Sequence, residues 1–240
     1  AAQDEFAVRS HHRAALAIDA GRFAKEIVAV EAGQNGKSRR VTRDTLVRAD
    51  TSVEKLAKLR PAFAANGTVT AASSSPLTDG GAAVLLMSEE KAAALGFAAL
   101  ARFASWAYVG VDPADQLLIG PALAMPLALE RAGYDLASVD RVDMHEAFAA
   151  QVLSVLKALA SESFGRLRLG RERAVGEIDP DRLNVYGGSI ALGHPFAATG
   201  ARMVTTMANE LSSKNLRSAL LGICAAGGLG AAAVLENASV

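Results

Sequence analysis

Residues 184–202 read NVYGGSIALGHPFAATGAR, and the reading of this stretch decides how the rest of the chain is taken. It opens inside a short run, RLNVY (182–186), that reads as a strand. A glycine pair, Gly187-Gly188, marks a turn, His194 stands fixed ahead of Pro195, and a helix opens on small residues. Strand, tight turn and helix in that order predict one βα unit with an imidazole in its connecting loop.

The same rhythm runs on both sides. ALARFASWAYV precedes a helix through ALAMPLALERAG, and VDRVDM precedes the helix EAFAAQVLSVLKALA. Two final apolar strands, SALLGIC and LGAAAVLE, are separated by AAGG and so form a hairpin. Strands alternating with helices predict an α/β fold: a mixed, mostly parallel five-stranded sheet flanked by helices. Residues 1–77 read as a looser α+β region. It has an opening helix with Phe6, Ala14, Ala17 and Ile18 on one face, and a short strand EIVAV. A basic loop GKSRRVTRD follows, then a helix from Thr51 with a capping box to Glu54, stopping before Pro61. ASSSPLTDGG marks a boundary, AAVLLMS reads as a short buried strand, and EEKAAALG as a helix capped by Ser88. The expected division is 1–77, 78–97 and 98–240.

Composition narrows the class. The 240 residues are 51% hydrophobic, mostly small aliphatics, with 25 basic against 25 acidic side chains. That balance offers no net field for nucleic acid or an anionic membrane, and the apolar content argues against disorder. A single cysteine excludes an internal disulfide framework and fits a reducing compartment. No apolar run reaches the roughly 18 residues of a spanning helix, and the first twenty residues carry His, Arg and Asp where a signal peptide is apolar. A cytoplasmic location is expected. The chain enters a helix almost at once, as a truncated chain would.

His145 follows the strand VDRVDM, His194 follows RLNVY, and Cys224 closes SALLGIC. All three fall at carboxyl ends of strands in one inferred sheet, where open α/β sheets build their sites. Each has a plainer reading: His194 as a buried histidine bonded to a carbonyl, Cys224 as a small core residue, His145 as a helix cap. The three are eligible metal ligands but lack the close paired spacing of most zinc motifs. The glycine stretches match neither a dinucleotide nor a P-loop fingerprint and more simply admit close backbone approach.

With those residues in hand, the chain resembles the thiolases. HEAFA (145–149), GGSIALGHPFAATG (187–200) and CAAGGLGAA (224–232) stand in the family's order. QDEFAVRSHHRA, GRFAKEIVAV, KLRPAF and SSPLTDGGAAVLLMS resemble the loop domain and the return to the amino-terminal domain. His145, where most members have Asn, and the added segment SESFGRLRLGRERAVGEIDPDR are more similar to thiolase subunits of β-oxidation complexes.

The resemblance implies a thiolase-like layered fold, with 1–77 as part of the CoA-binding loop domain and 78–97 as the last strand and helix of the amino-terminal domain. Residues 98–240 would be the carboxyl-terminal domain. It implies cleavage of 3-ketoacyl-CoA by CoA, or the reverse condensation, with His194 as base, Cys224 as the proton-moving thiol and His145 beside them at the thioester oxygen. The backbone N–H of Ala226 would be an oxyanion donor, though many thiolases have glycine there. Ser75 would face the pantetheine arm, Phe63 and Phe148 line its tunnel, and Arg48 lie near the nucleotide. CoA would be a co-substrate, no cofactor would be permanently bound, and a dimer or tetramer, in a β-oxidation complex, is the expected assembly. No residue matches the family's acyl-accepting cysteine, so that thiol is expected on an amino-terminal segment outside these residues. The competing readings are a non-catalytic acyl-CoA-binding or assembly subunit and, within enzymes, a ketoacyl synthase, against which Cys224 argues.

Overall fold

The structure is a computed structural model that describes residues 1–34 and 37–239. Helix α1, Ala2–Asp19, buries Phe6, Ala7, Ser10, His11, Ala14 and Ala17, the i, i+4, i+7 face that its sequence spacing marks. A hairpin follows, β1 Val30–Gln34 against β2 Lys37–Val41. Two expectations are corrected here. The strand expected over EIVAV begins only at its last residue, Val30, and the stretch expected as a basic loop supplies the second strand. Alternating Ser38, Arg39, Arg40 and Val41 tolerate an exposed two-stranded ribbon, which keeps cationic side chains in water. Gly36 of that stretch lies outside the described residues.

Helix α2, Val53–Leu56, is a single turn capped by Ser52, whose side chain accepts from the Lys55 N–H. The box expected from Thr51 to Glu54 is therefore displaced by one residue. A 3₁₀ turn, Ala71–Ser73, carries a reciprocal cap between Thr70 and Ser73 instead. Residues 82–88, expected as a short buried strand, form no strand and are exposed apart from the half-buried Met87, Leu85 at 72% and Leu86 at 66%. An apolar run is buried only where another element covers it. Helix α3, Glu89–Leu95, is capped by Ser88 and closed by Gly96 at φ +71, as its sequence predicts, yet buries no residue.

The main sheet is built from β3 Ala101–Gly110, β4 Arg141–Met144, β5 Ser218–Ala225 and β6 Leu229–Asn237, in the order β3-β6-β5-β4. It is an α/β layer with a mixed sheet, as expected. Its direction and strand number differ from the expectation: β3–β6 and β5–β6 are antiparallel, only β4–β5 is parallel, and RLNVY joins β4 through one parallel bridge, Val142 to Leu183. The reason is local. Asn184 turns to φ +46 directly after the bridge and ends the strand.

Between the strands run α4 Pro113–Gln116, α5 Gly120–Ala132, α6 Ala149–Leu159, α7 Glu162–Leu169, α8 Ser189–Leu192 and α9 Ala198–Lys214. One core joins α1, α5 and α6 to Leu220 and Val234. A second packs Met203, Met207 and Leu211 of α9 on Ala219 and Leu221. Helices thus cover both faces of β5. Glu210, 1% exposed, ties three parts together: Arg22 after α1 donates to it at 3.3 Å, Arg141 of β4 at 3.0 Å, and the Tyr186 hydroxyl as well.

Candidate active site

The parallel pair β4–β5 ends where the chemistry-bearing residues begin. Met144 is paired with Gly222, and the next residue, His145, donates its backbone N–H to the Gly222 carbonyl at 2.8 Å. Cys224 lies two residues beyond that carbonyl, in phase with Gly222 on the pleat. His194 comes in from the loop between α8 and α9. Its N–H donates to Pro76 O at 3.1 Å, and a parallel bridge joins it to Leu77. The rings of His145 and His194 stand 4.2 Å apart, centroid to centroid, tilted by 39°. Phe196 meets the His194 ring at 5.2 Å, tilted by 42°, and holds φ +43, an uncommon conformation beside the imidazole.

Each ring is fixed at Nδ1. His145 Nδ1 is 2.8 Å from Ser189 Oγ, and His194 Nδ1 is 2.8 Å from Thr199 Oγ1. The plainer reading of His145 as a helix cap does not hold, because the N-cap of α6 is Phe148. His194 is bonded to a threonine hydroxyl rather than to a carbonyl.

Electrostatics keep both imidazoles neutral. Burial, then the neighbouring His194 and the Arg202 charge, push His145 down to about 3. Burial and Arg202 lower His194 as well. Burial pushes the Cys224 thiol up to about 12, so it rests as S–H, a proton holder rather than a ready thiolate.

A second layer, absent from the sequence reading, holds these groups. Glu146 is fully buried and accepts from Ser10 Oγ at 2.7 Å, Asn184 Nδ2 at 2.7 Å and the Ile190 N–H at 3.2 Å. The glycine pair makes this possible: a Cβ on Gly188 would lie 2.6 Å from Glu146 Oε2. Arg202 reaches Ser189 Oγ at 3.4 Å and Asp143 Oδ2 at 3.5 Å. Burial lifts Asp143 to about 6 against the pull of Arg202. The signal for Glu146, Ser189 and Arg202 was present, since all three lie inside the motif stretches; their partners, 13 to 136 residues away, were not legible.

Residues expected at the CoA side fall into two groups. The Ser75 N–H donates to Ala147 O at 2.9 Å, Ser74 bridges Phe148, and Phe63 meets Phe148 edge-on at 5.8 Å, so this strip runs directly from the HEAF turn. Phe63 is 72% exposed. Arg48 is exposed and belongs to a different contact: its N–H donates to His11 Nδ1 at 3.1 Å, on α1. Ala226 lies exposed in the β5–β6 turn. A cavity of about 940 Å³ opens against the His194 loop, lined by Leu46, Thr78, Gly193, Pro195, Thr199 and Arg202 among others. Among the described residues no three His, Cys, Asp or Glu side chains group as metal ligands, and no helix is long and apolar enough to cross a membrane.

Comparison with known proteins bears on the same motifs. The family model for the thiolase C-terminal domain matches residues 97–237, and that for the thiolase N-terminal domain matches residues 1–90. The expectation of a carboxyl-terminal part alone is therefore met only in part. A curated 3-ketoacyl-CoA thiolase of Yersinia enterocolitica is 51% identical over 98% of this chain and 53% of its own length; one of Pectobacterium atrosepticum is 52% identical over the same shares. The chain spans about half the length of the curated relatives it matches. Among solved structures, the Bacillus anthracis acetyl-CoA acetyltransferase superposes with a TM-score of 0.87 at 39% identity, over 98% of this chain and 55% of that one. Human mitochondrial 3-ketoacyl-CoA thiolase superposes with 0.84 at 31% identity, over the same shares. Two domain models, half-identical relatives and two matching folds agree with the motif order, and the chain belongs to the thiolase family.

Proposed function

We propose that this chain carries the acid–base half of an acyltransferase site that splits 3-ketoacyl-CoA with CoA into acetyl-CoA and a shortened acyl-CoA, or runs the reverse condensation. The observation that carries it is the close, tilted pair of neutral imidazoles beside the strand end that bears Cys224. The names of the curated relatives support the substrate class.

The chemistry needs a thiolate to attack the 3-keto carbon, and a neutral His194 is in the right state to take that thiol's proton. The bond between C2 and C3 then breaks, and its electron pair becomes the enolate of acetyl-CoA. Donors preorganised at the thioester oxygen, His145 and His194, stabilise the developing charge. Cys224 gives its proton to C2 and takes one back from the incoming CoA thiol. The CoA sulfur then bonds to the acyl carbon, the bond from that carbon to the enzyme sulfur breaks, and His194 returns its proton to the leaving thiolate. The high resting value of Cys224 suits a group that must hold a proton until a strong carbon base appears. Ala226 N–H would serve as a second oxyanion donor, and Ser75, Phe63, Phe148 and Arg48 would contact CoA.

Cys224 is the chain's only cysteine, so the acyl-accepting thiol is supplied by a segment other than these residues. We further infer the division 1–77, 78–97 and 98–240, a cytoplasmic location, an oligomeric assembly in a β-oxidation complex, and CoA as a co-substrate with no cofactor permanently bound. That same single cysteine favours one second reading, a non-catalytic acyl-CoA-binding subunit.

Acyl-enzyme trapping on the complete protein separates the two. The enzyme reading expects a 3-ketoacyl-CoA to leave a covalent acyl group that His194→Ala abolishes, while Cys224→Ser chiefly blocks exchange of the acetyl-CoA α-protons. Acyl-CoA binding with no covalent adduct and no exchange would establish the binding subunit instead.

A further inference from the structure

We propose that Ser189, oriented by Arg202, is a positioning residue that fixes the tautomer of His145, holding its proton on Nε2 and so presenting an N–H donor to the reacting oxygen. The inference rests on the site assigned above.

The argument is a count of protons and lone pairs. Ser189 and His145 are 0% and 1% exposed, so bulk solvent does not reach the pair. Ser189 Oγ lies 2.8 Å from His145 Nδ1, and Arg202 Nη2 approaches the same oxygen at 3.4 Å. A guanidinium has donors only, so Arg202 occupies a lone pair of the hydroxyl. The serine proton must then find an acceptor. Among the described residues Ser189 Oγ is bonded to no other acceptor, which leaves the unprotonated Nδ1. In a neutral ring an unprotonated Nδ1 means a protonated Nε2. The opposite tautomer would place two donors on one hydroxyl and leave the serine proton buried without a partner, which is costly.

Arg202 is itself steered. Its other terminal nitrogen, Nη1, faces Asp143 Oδ2 at 3.5 Å, and Asp143 precedes His145 by two residues on β4. Strand and helix α9 therefore meet at Ser189. Burial and the Arg202 charge independently keep the His145 ring from becoming a cation, so which nitrogen carries the proton is the only variable left. An asparagine in place of His145 would offer its amide N–H without any such setting. A histidine offers it in one tautomer and loses it in the other, and the serine removes the second.

The test uses the complete protein labelled with ¹⁵N-histidine, with the His145 ring assigned by its disappearance in His145→Asn. The expected spectrum shows a protonated Nε2 and an unprotonated Nδ1 from pH 5 to 9. A proton on Nδ1 in the unsubstituted protein overturns the proposal without need of any variant. Ser189→Ala should mix the tautomers and lower kcat about tenfold, with KM for CoA changed less than about twofold. The same substitution in the His145→Asn background should then have no further effect. An unchanged tautomer in Ser189→Ala, or an equal loss in both backgrounds, reduces Ser189 to a packing role and sinks the idea. The spectrum needs no turnover, so a failure of the acyltransferase reading would appear separately, as an unsubstituted protein with the expected ring and no thiolysis.

Discussion

Asn184 completes β4 with its side chain: Oδ1 accepts from the Met144 N–H at 2.7 Å and Nδ2 donates to the Met144 carbonyl at 2.9 Å. One amide thereby replaces the strand neighbour that RLNVY stops supplying after Leu183. The same Nδ2 donates to Glu146 at 2.7 Å, so a single residue holds the backbone on one side of His145 and the carboxylate on the other.

Asn184→Ala should therefore cost about 3 kcal/mol, through the two orphaned backbone groups of Met144 and an under-satisfied Glu146. Denaturant unfolding of the complete protein measures it. A loss under about 1 kcal/mol would mean that water or a shifted chain replaces the amide.

Gly188→Ala tests the close approach itself. Gly188 has φ −152, which any residue adopts, so the conflict is steric and lies with the Glu146 carboxylate. A loss of about 2 kcal/mol or more is expected, with His145 displaced and activity reduced with it. Gly187→Ala should be worse, because φ +72 strain adds to a Cβ 2.9 Å from Ala14 Cβ. A neutral Gly188→Ala would show that Glu146 can move.

Cys224 should resist alkylation. With the thiol held near 12 and 4% exposed, almost no thiolate exists at pH 8 and little of it is reachable. Peptide mass spectrometry after brief iodoacetamide treatment should find Cys224 unmodified in native protein and modified after denaturation. Rapid native labelling at pH 8 would contradict a buried, protonated sulfur.

His145 should make the protein acid-sensitive. Its folded value, about 3, lies below the ordinary 6.5, so below pH 6.5 the unfolded chain binds a proton that the native ring refuses. Stability from this group falls as pH drops from about 7 towards 3 and levels off below that. Asp143, raised to about 6, acts in the opposite sense, gaining a native proton as pH falls from 6 to 4. The clean readout is a difference: the Tm of His145→Asn relative to the unsubstituted protein should rise as pH is lowered from 8 to 5. A pH-independent difference would show that the ring titrates normally.

The strand ends and long helices were legible because one chain segment carries their whole signal. SALLGIC, LGAAAVLE and the α6 and α9 patterns each state their own periodicity; the structure repeats the two strands to within a residue, while both helices begin three residues later than their patterns. Residues 82–88 failed for the converse reason, since burial belongs to a pair of surfaces and only one of them is written there. The β1–β2 ribbon was hidden by its charges, which suit an exposed strand as well as a loop. At the site, the motif histidines could be found from strand ends, while the partners that Ser10, Asn184 and Arg202 take could not. Their value lies in what they touch across the fold.

The pleat of β5 has an outcome for anyone reshaping this protein. Leu220, Gly222 and Cys224 share one phase, against α5, while Leu221 and Ile223 share the other, against α9. Inserting a single residue upstream of the sulfur would invert that order and deliver Ile223 where the thiol now stands, and deleting one would deliver Ala225. Length changes in this segment should be tolerated only in pairs, which makes the strand a poor place for tags, loops or barcodes.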